Sequence, residues 1–385
     1  MKTLLAIGFY LLQPALWIAI IRVFVTSNRR ISRERKSFTS AVYSDHFEWR
    51  HFLTGGIEIG LILSLISGLV GLTLPLSSVV LYEIVVAISL IIVPGAIFPV
   101  LIVLGVILVA QFMPQMETEW LQPVANVFGA SRADTALGNG LLWLTLVLLG
   151  IAIFVWQYAG RFPSPQLVDE RRGKQIANYP WRELLLAPLV ILIPGSAISN
   201  VLPFWPLFQI QGQSYTILVL PLLIGVRFTV FRRVPREVYQ RLGRQLSGLA
   251  GLGLLTVMLT YFIPAVAWVG IIILCVGYLW LLWRTKQGDR HYPFWYSKVD
   301  NGIRVLGIRP NTPATKMNLH IGDVILECNH KKVRSETELY EALLINPTYC
   351  HLKVQDRDGN FQITETAIYT GAPHEIGIVL FQDQN

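Results

Sequence analysis

Chemistry inside a membrane needs a titratable group at depth, and Glu83, near the middle of the apolar run Leu76 to Ile92, is placed for it. A carboxyl there is costly unless neutral or paired, so it is a candidate proton or ion relay. The plainer account is a protonated carboxyl hydrogen-bonded between helices, since no second intramembrane charge partners it. Glu58 lies near the end of its run and can reach the interface. Intramembrane proteolysis finds no machinery. A zinc site with two histidines one helical turn apart is absent, and none of the seven histidines falls in an apolar run. Ser64 and Ser67 have no histidine or lysine base beside them, and their SLISG context reads as small-residue helix packing. Cys275, Cys328 and Cys350 show neither metal-ligand spacing nor a disulfide framework. No enzyme, metal or cofactor site is therefore expected.

The elements that must position these residues are membrane spans. The chain has 385 residues, of which 53% are hydrophobic and only 15% charged, against about 25% charged in soluble domains; mean hydropathy is +0.51. Runs long enough to cross a bilayer are Leu4 to Val25, Ile57 to Leu74, Leu76 to Ile92, Gly95 to Phe112, Gly140 to Tyr158, Leu184 to Leu202, Tyr215 to Phe231, Leu249 to Ile263 and Ala265 to Trp283. The fold class expected is thus a polytopic α-helical membrane domain of about nine spans. The stretch Leu76 to Phe112 is two full spans or a re-entrant pair broken at Pro94 and Gly95. The uncleaved-looking N-terminal run is taken as a retained span.

The net charge of +8 sits in short segments between these runs, so it reads as a topology signal rather than a nucleic-acid surface. Arg29 to Arg50, Arg161 to Arg182 and Arg232 to Arg244 are rich in arginine, whereas Met113 to Asn139 has one arginine and Phe204 to Ser214 has no charge. Placing the basic segments in the cytoplasm puts the N-terminus outside and the C-terminal tail inside. The same arginines can attract anionic membrane lipids. The interrupted segments VPGAIFP (Val93 to Pro99) and IPGSAISN (Ile193 to Asn200) keep a transporter-like or sensing role centred on Glu83 as an alternative.

After the last run, residues 284–297 form a polar and aromatic linker in which Phe294, Trp295 and Tyr296 sit at headgroup level or pack on the tail. Beyond it the hydrophobic period becomes strand-like. GIRVLGI and GDVILECN read as strands, and Ser335 with Glu338 has capping-box spacing at the start of an amphipathic helix carrying Leu339 and Leu343. Asp358-Gly359 marks a hairpin, and IGIVLF is a last apolar strand. Together the segments PATKMNLHIGDVILECN, GIRVLGI and the helix after Ser335 resemble a bacterial PDZ domain over residues 298–382. This adds an α+β module, a small mostly antiparallel β-sandwich with two helices, to the membrane domain 1–283.

The resemblance implies roles. Gly322 and Asp323 make an architectural turn. A bound peptide adds as a strand beside a helix, with its carboxylate held by a hydrophobic-Gly-hydrophobic loop. Glu375-Ile376-Gly377-Ile378 matches that loop, permuted to the end of the module, so Ile376, Gly377, Ile378 and Val379 are expected on one groove wall and Leu339 and Leu343 on the other. The competing reading is that IGIVLF is only the closing core strand. With nothing catalytic before the PDZ-like tail, and through LPFWPLFQIQGQSYTILVLPLLIGVRF, the whole chain resembles the MinJ-type cell-division topological determinants of Gram-positive bacteria. That family implies a non-enzymatic scaffold at septum and poles, connecting a DivIVA-like protein to a MinD-like protein. A helper presenting substrates to a separate protease is a further alternative.

Overall fold

The computed structural model describes residues 8–38, 40–92, 98–112, 136–169, 175–198, 205–208, 214–292, 296–368 and 376–381. Outside them lie Leu4 to Ile7, the Pro94 and Gly95 break, most of Met113 to Asn139, the end of IPGSAISN, Phe294, Trp295 and Glu375.

The first part of the chain contributes helices α1 (Pro14–Phe38), α2 (Phe47–Val70), α3 (Leu76–Ile92), α4 (Pro99–Phe112), α5 (Leu137–Tyr158), α6 (Pro235–Phe262) and α7 (Val266–Arg290). Four of them, α2, α5, α6 and α7, are long and apolar enough to cross a membrane, while α3 and α4 are shorter. Of the four, α5 is the axis: 89% of its apolar window is buried, against 39% or less for the other three. Their outer faces expose Leu61, Leu65 and Leu69 on α2, Leu255, Met258 and Phe262 on α6, and Ile272 and Val276 on α7. Such a surface is unfavourable in water and natural against lipid tails.

The expectation of nine helical spans needs correction in two places. Leu184 to Leu202 and Tyr215 to Phe231 are not helices. They form strands β3 (Leu184–Ile198) and β4 (Tyr215–Gly225), paired antiparallel from Leu184↔Gly225 through Pro194↔Tyr215. An apolar run does not distinguish helix from strand, because about twenty helical residues and about nine extended ones both cover ~30 Å. The prolines were the available signal. Pro188, Pro194 and Pro221 would each break a helix interior. In the hairpin Pro188 stands opposite Pro221, at positions whose amides point away from the partner strand, so no ladder bond is lost.

A sheet edge in an apolar layer is tolerated only when protein satisfies it. On the free edge of β3, Ser64 Oγ donates to Pro188 O (2.9 Å) and accepts from Val190 N (3.0 Å), and Ser67 Oγ donates to Val190 O (2.6 Å). Leu192 then exchanges backbone bonds with Leu72 and Leu74 (2.8 and 2.9 Å). On the free edge of β4, Gln13 Nε2 donates to Val219 O and Tyr82 OH accepts from Leu223 N. The helix approaches the strand closely because Gly60 has no side chain; a Cβ there would overlap the Pro188 ring.

At the end of the bundle where β3 begins, β1 (Gln166–Asp169), β2 (Gln175–Trp181) and β5 (Phe228–Val230) form a small sheet in the order β1-β2-β5. The Asp289 carboxylate near the end of α7 accepts from the amides of Phe231, Arg232 and Arg233 (2.9 to 3.1 Å), tying α7 to the start of α6. The C-terminal module has β6 (Ile303–Arg304), β7 (Gly307–Ile308), β8 (Val324–Cys328), β9 (Lys331–Lys332), α8 (Glu336–Ile345), β10 (Tyr349–Gln355), β11 (Phe361–Ala367) and β12 (Ile378–Val379), with a short 3-10 helix at Pro313–Lys316. The sheet runs β11-β10-β8-β6, with β9 on β8, and β12 pairs with β7. Ser335 Oγ accepts from Glu338 N (3.1 Å) and the Glu338 carboxylate accepts from Arg334 N (2.7 Å), so the start of α8 is capped from both directions.

Candidate functional site

The candidate groove is built around β12. Its pairing with β7 directs the carbonyls of Gly377 and Val379 inward, where they accept from Arg309 N and Leu306 N at 2.8 Å. By strand alternation the N–H and C=O of Ile378 point to the other side, and among the described residues no strand covers that side. Gly377 has φ +89°, and a Cβ there would strike the Thr312 side chain, so the turn into β12 requires glycine. Ile376, Ile378 and Leu380 enter one apolar cluster with Leu339, Ala342 and Leu343 of α8. That arrangement sets the edge of β12 beside α8, with Leu339, Ala342, Leu343 and Ile378 all buried in the shared cluster.

Val379 lies on the opposite face of the strand. With Phe381 and Leu306 it joins a second cluster made of Phe38, Val42, Tyr43 and Phe47 from the α1–α2 region, Ala177 and Tyr179 of β2, and Tyr296. Tyr179 OH donates to Leu306 O (2.8 Å), Ala177 N to Tyr296 O (2.9 Å), and Tyr296 OH to Arg233 O (3.0 Å). The module is therefore seated on the basic end of the helical bundle. The unbroken apolar run IGIVLF, all six residues of which are buried, gave no hint that its second face holds the tail to the rest of the chain. Of the linker aromatics, Tyr296 packs in this joint, and α7 runs on through residues 284–290.

Gly322 and Asp323 form a turn. Gly322 has φ +103°, and the buried Asp323 carboxylate accepts from His320 N at 2.8 Å. Burial raises this carboxyl above its ordinary range, with the His320 amide and imidazole pulling the other way. Within the bundle, Glu83 is 8% exposed, and neither of its oxygens has a hydrogen-bond partner among the described residues. It lies on α3, which packs against α1.

Sequence reasoning missed a buried polar network at the joint. Arg30 donates through Nε and Nη2 to Glu48 and through Nη1 to Glu34 (3.2 Å) and to Tyr43 O (2.8 Å). Glu34 also accepts from Tyr43 N and Ser164 Oγ. Ser27 Oγ lies 3.0 Å from Glu48 Oε2 and 2.8 Å from His46 Nδ1. Its single proton goes to the carboxylate, so His46 Nδ1 must carry a proton and donate. The i,i+4 spacing of Arg30 and Glu34 was the only trace in the sequence. Nearby, His51 Nδ1 and Trp181 Nε1 contact the two oxygens of Glu183 (2.6 and 2.7 Å).

With this geometry in view, comparison with known proteins is decisive for the tail and informative for the whole. Residues 293–355 match the PDZ domain family. The probable cell division topological determinant MinJ of Lacticaseibacillus paracasei is 29% identical over 388 residues, covering 96% of this chain and 95% of that protein. The cell division topological determinant MinJ of Bacillus subtilis (strain 168) is 28% identical over 386 residues, covering 98% and 94%. Over nearly its whole length the chain is similar to the MinJ cell division topological determinants. It combines apolar helices of membrane-crossing length with a C-terminal PDZ domain, as the sequence resemblance implied.

Proposed function

We propose that the protein is a non-enzymatic membrane scaffold for division-site selection, whose PDZ domain recruits partner proteins at the cytoplasmic face. The observation that carries this reading is the edge of β12 at Ile378, on which no strand pairs among the described residues, beside the apolar face of α8; one position earlier on that edge Ile376 O already accepts from Ala314 N (3.0 Å). A peptide strand pairs with Ile378, its side chains resting against Leu339 and Leu343 and its carboxylate meeting the turn at Ile376 and Gly377. DivIVA-like and MinD-like proteins are the partners the resemblance implies, with enrichment at septum and poles. The division of labour is a membrane unit over 1–283, a juxtamembrane segment 284–297 and a binding unit 298–382.

The cytoplasmic side is supported by where the basic segments go. The α1–α2 region next to Arg30, the sheet around Tyr179, and the start of α6 all meet the PDZ domain at one end of the bundle: Phe38 and Tyr43 pack with Leu306 and Val379, Tyr179 OH donates to Leu306 O, and Arg357 pairs with Glu237. Basic residues favour the cytoplasmic side.

The test is recruitment of fluorescently tagged partners in dividing cells. Deletion of residues 298–382 and the single changes Leu343→Glu and Gly377→Trp should abolish recruitment while membrane insertion persists. Undiminished recruitment by the deletion would sink the reading. A Glu83→Gln variant should behave as wild type; loss of function there would favour the transporter or sensor alternative.

A further inference from the structure

The basic end of the bundle contains a cavity of about 60 Å³ that the scaffold reading does not use. That is room for several waters or one phosphate-sized group. Its polar wall includes Arg30, Arg33 and Arg182, and its apolar wall includes Val23, Phe47 and Leu184. It lies where Trp181 and Arg182 lead into β3, hence where the hairpin enters the apolar layer. Tryptophan and arginine are at home at headgroup depth.

The charges around it are unevenly spent. Glu48 is engaged by Arg30 and Ser27, and Glu183 by His51 and Trp181, so both carboxylates lining the cavity already have donors. Among the described residues Arg33 hydrogen-bonds only the neutral Gln166 Oε1 (3.0 Å). Arg182 has no hydrogen-bond or ion-pair partner among the described residues. Burial first, then the nearby Arg227 and Arg33, lowers the Arg182 guanidinium from its ordinary value. Arg182 feels Arg33 as a like charge, and Glu34, the carboxylate that acts on Arg33, is already engaged by Arg30 and Tyr43 N, so the pair favours an incoming anion with several acceptor oxygens.

We propose that this cavity binds the phosphate of an anionic phospholipid, with Arg33 and Arg182 as its donors and the acyl chains leaving along the apolar wall at Val23 and Leu184. The apolar half of the lining, with Val23, Phe47 and Leu184, favours a lipid over free phosphate, while the half-buried Arg33 and exposed Arg182 leave the site open to a headgroup. Bound lipid would bridge α1 and the start of the hairpin, beside the joint that seats the PDZ domain.

The full-length protein in detergent is titrated with phosphatidylglycerol, phosphatidylcholine or inorganic phosphate and followed by native mass spectrometry. Phosphatidylglycerol should be retained and phosphatidylcholine lost. Arg33→Gln with Arg182→Gln should weaken retention by about tenfold or more, whereas Arg35→Gln, an exposed change outside the cavity, leaves it unchanged. Equal retention of both lipids, or undiminished retention by the double variant with an unchanged unfolding temperature, overturns the site. Displacement of phosphatidylglycerol by inorganic phosphate at comparable concentration overturns the lipid as its occupant.

Discussion

Ser64 holds two successive polar groups of an unpaired strand edge, donating to Pro188 O and accepting from Val190 N at 2.9 and 3.0 Å. The hydroxyl thus replaces a neighbouring strand at a partly buried point of the apolar layer. Ser64→Ala leaves a buried donor and weakens a buried acceptor, which costs about 1–3 kcal/mol for the orphaned amide. Thermal unfolding in detergent should show Ser64→Ala well below wild type, whereas the exposed neighbour change Leu65→Ala should move the midpoint little. Equal midpoints for Ser64→Ala and wild type would mean the edge is satisfied by other means.

The tail is held to the bundle by the face of β12 that carries Val379, while the groove uses the face and edge that carry Ile378. Tyr179→Phe removes the donor to the buried Leu306 carbonyl, weakening the seat by about 1–3 kcal/mol. Val379→Asp sets a charge against Phe47 and Tyr179 and should release the PDZ domain altogether. Hydrogen exchange across residues 303–308 should rise in both variants, more in Val379→Asp. Partner recruitment should survive in Tyr179→Phe, which distinguishes loss of seating from loss of the groove.

What was legible in the sequence depended on whether local pattern alone decides the element. Leu76 to Ile92 forms a helix with those bounds, and the Ser335 and Glu338 cap is present as spaced, because apolar run and cap chemistry are local. The hairpin was illegible by hydropathy: β3 and β4 are apolar on all sides because they are buried between α2 and α5, the same pattern a membrane helix gives. The second face of IGIVLF packs on residues more than a hundred positions away, and the Arg30 network joins α1 to the start of α2 across a chain reversal and takes in Ser164 from beyond α5, so neither follows from a periodic pattern along one element.

Asp323 offers a test by pH. Its folded-state value is raised by burial, so its contribution to stability is fully present below the unfolded value of about 3.9 and is lost as pH rises through the folded value. Asp323→Asn keeps an acceptor for the His320 amide and removes that dependence. Relative to wild type, the asparagine variant should therefore gain stability between pH 3 and pH 7, read from unfolding midpoints. Asp323→Ala lacks the acceptor and should be weaker across the range.

Arg30 sits between two buried carboxylates, with Glu34 and Glu48 at 7% side-chain exposure or less. Such a pair adds little net stability over a well-packed apolar substitute, but removing one partner leaves an uncompensated buried charge and costs about 3–5 kcal/mol. Arg30→Met creates that situation twice over. The folded variant then takes up protons that the unfolded chain releases near neutral pH, so its stability should rise as pH falls and drop as pH increases. Adding Glu48→Gln should recover part of the loss at pH 8 and little at pH 5. Unfolding of the single and double variants at the two pH values separates the causes, because a loss from packing alone would be the same at both and would not be relieved by glutamine.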